Sequence, residues 1–252
     1  MHSLGQTRSA SHRDHLLHTP DAFIRTPLPG LTGGMAIVHI APAGGAAFTQ
    51  MTVELEPRGT LTEGPTQRLL YVLEGRLTLT VEGSRKLHKL SPGGYAYIPT
   101  DHTHTLTALS RARVAVIDKP FLPLEGEPNP TFIIGREPAL SAVPLNGDPG
   151  LLVRSLLPPS LALDFAVNTM TYAPGASLSQ VEVHYMEHGC LLLEGGGIYR
   201  LSDHWYPTTA GDFIWMAPYC PQWFGAIGKQ PAKYLIYKDF NRHTLSSFSP
   251  AS

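Results

Sequence analysis

A chain of 252 residues with 42% hydrophobic side chains is long enough for one large or two small cores. Its 19 basic and 20 acidic groups leave a formal charge of -1, which supplies neither the positive footprint of a nucleic-acid reader nor the basic face of a membrane-surface protein. The expected partner is therefore a small molecule, with no nucleic acid and no membrane; no apolar run nears the roughly 20 residues of a span, and the cytoplasm is the expected compartment. Cys190 and Cys220 are too few for a disulfide framework or a zinc-thiolate site.

Along the chain, residues 1–30 read as an amino-terminal tail. They carry His2, His12, His15 and His18, but no regular spacing or carboxylate pattern supports ligation, so a solvated segment is expected. Strand-sized runs follow, including "RLLYVLEGRLTLTVEG" and "GGYAYIPT", each closed by a turn signal; they predict a first β unit over 31–122. Residues 123–158 hold Pro123, Pro128, Pro130, Pro138, Pro144 and Pro149 and read as a surface linker with one short strand at "TFII". "GCLLLEGGGIYRL" and "KYLIYKD" belong to a second β unit over 159–240, and 241–252 read as a carboxy-terminal tail. Long 3.6-residue periodicity is absent, so the class is all-β, sandwich or small barrel.

The two units are copies. "LLYVLEGRLTL" at 69–79 resembles "GCLLLEGGGIY" at 189–199, and "PGGYAYIP", "VAVIDKPF" and "FTQMTVELEPRG" find their counterparts in "AGDFIWMAP", "YLIYKDF" and "FAVNTMTYAPGA" in the same order, at offsets near 120. That period suits a duplicated domain rather than a solenoid module.

Chemistry concentrates in "VEVHYMEHG", residues 181–189. On a strand Glu182, His184 and His188 share parity and project to one side, whereas Glu187 has the opposite parity. Two neutral imidazoles and a carboxylate meeting inside a barrel suit a divalent ion; hydrogen-bonded or exposed histidines are the alternative. Cys190 shares the parity of His188 and reads as a small buried hydrophobe.

Glu-x-His-x3-His, the turn "LEGGG", a second Gly-Asp turn and the returning strand together resemble the split motif of the cupin superfamily, which implies a bicupin of two tandem antiparallel, jelly-roll-like β-barrels. More narrowly, "YAPGASLSQVEVHYMEHG", "GDFIWMAPYCPQWFGAIG" and "YLIYKDFNR" resemble the (S)-ureidoglycine aminohydrolase family of purine and allantoin breakdown. The resemblance implies Mn(II) held by Glu182, His184, His188 and Gln222, other divalent transition ions also suiting these donors. It further implies a substrate pocket that includes Tyr199, Tyr234, Lys238 and Gln222. Glu182, as a base toward water, and Lys238, as a partner of the substrate carboxylate or an aid to proton movement, are read as the catalytic residues. A dioxygenase, an isomerase or a plain binding protein could use the same donors, since fold alone does not fix a reaction. Bicupins often associate, so a homo-oligomer is compatible with the resemblance.

The first unit departs from this pattern. Thr62, Gly64 and Arg68 stand where the second has Glu182, His184 and His188, and His102 and His104, near the Gln222 counterpart, are expected to be exposed or hydrogen-bonded. A metal-free first barrel is therefore expected.

Overall fold

The computed structural model describes residues 6–62, 64–84 and 86–243. They form two compact units, one of Ile24–Ala139 and one joining the residues up to Phe23 with those from Leu140 onward. Among the described residues strands dominate, helix is limited to three single 3-10 turns, and no helix is long and apolar enough to cross a membrane.

In the first unit all strands belong to one curled antiparallel sheet. The 14-residue strand Thr49–Thr62 makes the curl: its first half pairs with Ala112–Lys119 and its end with His104–Ala108. One strand thus serves both walls. Alternate residues point inward, and Leu55, Leu70, Val72, Leu79, Leu106 and Val114 meet as a fully buried aliphatic core.

The second unit repeats the pairing of the central strands with different filling, but it is split into an eight-stranded and a three-stranded sheet. His188–Glu194 lies between Phe213–Met216 and Ala232–Asp239, as Gln67–Glu74 lies between Gly94–Ile98 and Ala112–Lys119. A bulge falls between Leu192 and Glu194 opposite Tyr234 and Lys233, and its copy falls between Val72 and Glu74 opposite Val114 and Arg113. The turn that follows needs glycine in both units. Gly75 and Gly195 have φ of 84° and 63°, and a Cβ at either would stand 2.3 Å from the carbonyl oxygen of Arg111 or Pro231. Inside, Tyr172, Tyr199, Phe224 and Tyr234 replace Leu55, Leu79, Leu106 and Val114 as core residues.

The segment expected to be a solvated tail and the one expected to be a surface linker with a short strand at "TFII" both supply strands to the barrels. In the amino-terminal stretch, Ala10–Ser11 and His15–His18 form a hairpin, and His15–His18 pairs with Phe213–Met216 at the edge of the second barrel. Leu17 is fully buried in that core, and Arg8 clamps the buried Asp212 through two bonds of 2.7 and 2.8 Å. The solvated-tail expectation fails because an open sheet edge needs a partner for its N–H and C=O groups, and this apolar "HLLH" alternation supplies one. The linker is likewise divided. Ile133–Arg136 covers the matching edge strand Gly94–Ile98 of the first unit, and Val143–Leu145 and Asp148–Ser155 extend the second sheet. Past the last strand, Asn241 and Arg242 donate to the carbonyls of Ser160, Leu161, Ala162 and Leu163, so the chain stays docked there. His2 and residues 244–252 lie outside the described residues.

At the mouth of the first barrel an ion pair closes the interior. Arg68 stands opposite Asp118 in register, donates to both carboxylate oxygens at 2.7 and 2.8 Å, and also reaches the Thr62 carbonyl at 2.7 Å and His104 Nε2 at 3.2 Å. His104 is buried and hydrogen-bonded, with Nδ1 on the His102 carbonyl; half-buried His102 lies on Asp101.

Two stability outcomes follow. Leu17→Ala lowers the stability of the second unit by about 2–5 kcal/mol in denaturant unfolding, where a solvated tail would give no change. Arg68→Met alone strands the Asp118 carboxylate and destabilises the first unit by about 3–5 kcal/mol, whereas adding Asp118→Leu recovers most of the loss; equal losses in the single and double variants would contradict the pairing.

Candidate metal centre

His188 is the first residue of its strand and is nearly fully buried, facing the barrel interior with Cys190 and Leu192. Glu182 and His184 arrive differently. Residues 181–187 are not a strand, so strand parity does not bring the three together. Instead the segment is laced onto Gln222–Ala226 by backbone bonds. Ala226 N–H donates to Ala176, Leu178 N–H to Phe224, and Glu182 and Gln222 exchange both N–H···O bonds at 2.8 and 2.9 Å. That last pair fixes a carboxylate and an amide side by side. His184 is held by its carbonyl, which accepts the N–H of Tyr219, a residue in the left-handed region at φ 64°.

Three of the other expected residues approach His184. His184 Nε2 lies 3.2 Å from His188 Nε2, 2.8 Å from the Gln222 amide nitrogen and 4.0 Å from Glu182 Oε2. His188 Nδ1 faces the Tyr237 carbonyl at 3.2 Å, so that nitrogen carries the proton and Nε2 presents its lone pair to the cluster. Burial pushes both imidazoles below their ordinary range, His188 furthest, so both are neutral bases. Neutral imidazole nitrogens about 3 Å apart, a carboxylate and an amide that can turn its oxygen inward suit a divalent ion bound at about 2.1–2.2 Å. The donor set fits the group.

Lys238 stands directly opposite His188 in register and shares a face with Tyr234 and Ile236, both in the barrel core. Parity in "YLIYK" leaves the face open; packing identifies it as the interior one. Burial lowers the Lys238 ammonium from its ordinary range and raises the Glu182 carboxyl, and the attraction of each for the other partly offsets both shifts. A small pocket of about 100 Å³, lined by Asn146, Asp148, Ser177 and Ser179, opens beside Glu182.

Tyr199 and Tyr234 lie deeper. The Tyr199 hydroxyl donates to Gln222 Oε1 at 3.3 Å, and the Tyr234 hydroxyl is 2.7 Å from that of Tyr172. Tyr172 was not singled out from sequence, because one tyrosine at a strand end gives no signal until its partner 62 residues away is placed. All three hydroxyls are pushed up by burial and are neutral. Glu187 points away from the cluster and accepts the Trp215 indole N–H at 2.8 Å. Cys190 is fully buried, its thiol raised by burial.

Comparison with known proteins identifies the fold and the family. A Cupin domain family model matches residues 168–237, and an EutQ-like cupin domain model matches 42–120. The chain is 42% identical to the (S)-ureidoglycine aminohydrolase of Arabidopsis thaliana, covering 96% of this chain and 80% of that protein. It is 31% identical to the (S)-ureidoglycine aminohydrolase of Escherichia coli strain K12, over 92% and 90%. The crystal structure of protein Ylba from E. coli superposes with a TM-score of 0.84 at 29% identity, covering 95% of this chain and 96% of that one. With two cupin domains in tandem and this identity over nearly its whole length, the chain belongs to the (S)-ureidoglycine aminohydrolase family of bicupins.

Proposed function

We propose that this protein hydrolyses (S)-ureidoglycine to (S)-ureidoglycolate and ammonia in purine degradation, using the second barrel and a manganese ion held by Glu182, His184, His188 and Gln222. Family membership supplies the reaction. One geometric observation supports the site: His188, Gln222 and Glu182 each bring a polar side-chain atom within 4.0 Å of His184 Nε2, with Lys238 on the strand opposite His188.

The substrate carries a carboxylate, an amine and a ureido group on one carbon. Hydrolysis breaks the bond from that carbon to the amine and forms one to a water oxygen, the amine leaving as ammonia. A bound divalent ion would supply Lewis-acid polarisation and positions for chelating the substrate. The chain's own groups do the rest. The Lys238 ammonium pairs with the substrate carboxylate and fixes which face of the carbon is open. The Glu182 carboxylate, the one acid among the proposed donors, is suited to accept a proton from water and to return one toward the departing amine. The neutral hydroxyls of Tyr199 and Tyr234 hold the inner wall, Tyr199 through Gln222. With approach limited to one face, one product configuration results.

In the first barrel, Arg68 and Asp118 occupy the register positions of His188 and Lys238, and His104 corresponds to Gln222. A guanidinium at that mouth repels a cation, so we assign that barrel no metal.

The test is ammonia release from freshly generated ureidoglycine, measured against its spontaneous decay. Manganese-loaded protein should accelerate release and yield one ureidoglycolate enantiomer, and chelation should abolish the acceleration. Glu182→Ala should lower the rate by about 10²–10⁴-fold, and Lys238→Met should raise KM if the amine holds the carboxylate. Stoichiometric manganese binding with a rate at background would refute the hydrolase reading while leaving the metal site standing.

A further inference from the structure

A second group of metal-type donors lies outside this site, where the amino-terminal hairpin meets the second barrel. His12, in the hairpin turn, His15, at the start of the strand His15–His18, and His204, at the start of His204–Thr209, gather their rings at one spot. The His12 ring stacks on that of His15 at 4.5 Å and lies 4.1 Å from that of His204; His15 and His204 are 5.4 Å apart. One ring nitrogen from each lies within 4.8 Å of the other two. His12 and His204 are exposed, whereas His15 is fully buried.

The backbone holds this arrangement independently of the rings. His12 N–H donates to the His15 carbonyl, Ala217 N–H donates to the Asp14 carbonyl, and His15 pairs in register with Met216. On the other side, His204 is set by the turn at Ser202, whose φ is 51°, and by pairing with Leu201. Asp14 binds the Ser202 hydroxyl and so ties the two sides together. Its other carboxylate oxygen lies 2.9 Å from His15 Nδ1. A carboxylate on one imidazole nitrogen fixes the proton there and leaves the other as a base, the orientation that metal-ligating histidines commonly show. His15 Nε2 then accepts from the Tyr206 hydroxyl at 2.9 Å, a bond an incoming ion would displace.

We infer that His12, His15 and His204 form a second divalent-metal site, selective for a borderline ion of the Zn(II) class, that staples the amino-terminal hairpin to the second barrel. Three imidazoles with water in the fourth position suit that class, and the hard, oxygen-preferring ions are disfavoured by an all-nitrogen set. The ion joins chain segments nearly 190 residues apart. Its expected role is structural, because ligands that bind only the folded arrangement stabilise it.

The test is equilibrium dialysis of the full-length protein against roughly micromolar Zn(II), with metal analysis and thermal melting. Three proteins are compared: wild type, His12→Ala/His204→Ala, and His184→Ala/His188→Ala. Both positions in the first variant are exposed, so its fold should be kept. Wild type should bind two Zn(II) per chain and each variant one, and Zn(II) should raise the melting temperature of the His184→Ala/His188→Ala protein. Zn(II) bound by His12→Ala/His204→Ala in the same amount as wild type would overturn the inference. Loss of all Zn(II) in His184→Ala/His188→Ala would also overturn it. Retention of one Zn(II) that fails to shift the melting temperature would refute the staple. The proposed catalytic centre is tested separately, by whether the His12→Ala/His204→Ala protein keeps its single ion.

Discussion

The antiparallel register between His188–Glu194 and Ala232–Asp239 is the constraint on which the second barrel depends. It sets His188 opposite Lys238 and turns both inward, with Cys190, Leu192, Tyr234 and Ile236 behind them. A slip of one residue would carry every one of these side chains to the other face. The bulge at Leu192 and the glycine turn at Gly195 guard against such a slip, since a Cβ at Gly195 would collide with the Pro231 carbonyl. The first barrel keeps the same bulge and the same glycine while its interior chemistry has changed altogether. Backbone wiring and site chemistry are thus separable in this fold.

What the two barrels do with that shared frame differs by charge. In the first, Arg68 brings its own cation, and Asp118, Thr62 and His104 satisfy it. In the second, His188 brings a neutral base at the same position, and the loop through Glu182 and His184 adds further lone pairs. One mouth pairs a guanidinium with its own carboxylate; the other gathers two neutral imidazoles, a carboxylate and an amide, with the Gln222 NH₂ donating to His184 Nε2. The interiors follow the same division. Aliphatic side chains fill the first, and tyrosines whose hydroxyls need partners fill the second.

Much of this was legible in sequence because it is periodic. Strands, the duplication and the shared parity of His188 and Cys190 follow from alternation and turn residues, and the family resemblance implies Glu182, His184 and Gln222 beside His188. What was not legible depends on long-range pairing. Strand parity gives Glu182 and His184 the right side for the wrong reason, since cross-bonding to Gln222 places that loop. Whether "YLIYK" turned Lys238 inward was undecidable from alternation, which marks two faces without saying which is buried. The histidines of the amino-terminal stretch looked solvated because their third partner, His204, lies on a hairpin nearly 200 residues away, and because nothing local shows that "HLLH" completes a sheet edge.

The weakest donor at the proposed centre shows how the deep aromatic layer bears on the mouth. Gln222 offers an oxygen and an NH₂ group with nearly the same shape, and only its neighbours decide which faces inward. In the structure the NH₂ lies toward the His184 lone pair and the oxygen accepts from Tyr199. A cation at the imidazoles requires the opposite sense. The Tyr199 hydroxyl permits it, because a hydroxyl can accept from NH₂ as readily as it donates to C=O. A phenylalanine at 199 would leave the amide's inner end without a partner in a dry core, which is unfavourable in either sense. Tyr199 is fully buried, so it acts through the Gln222 amide, which its hydroxyl can partner in either orientation.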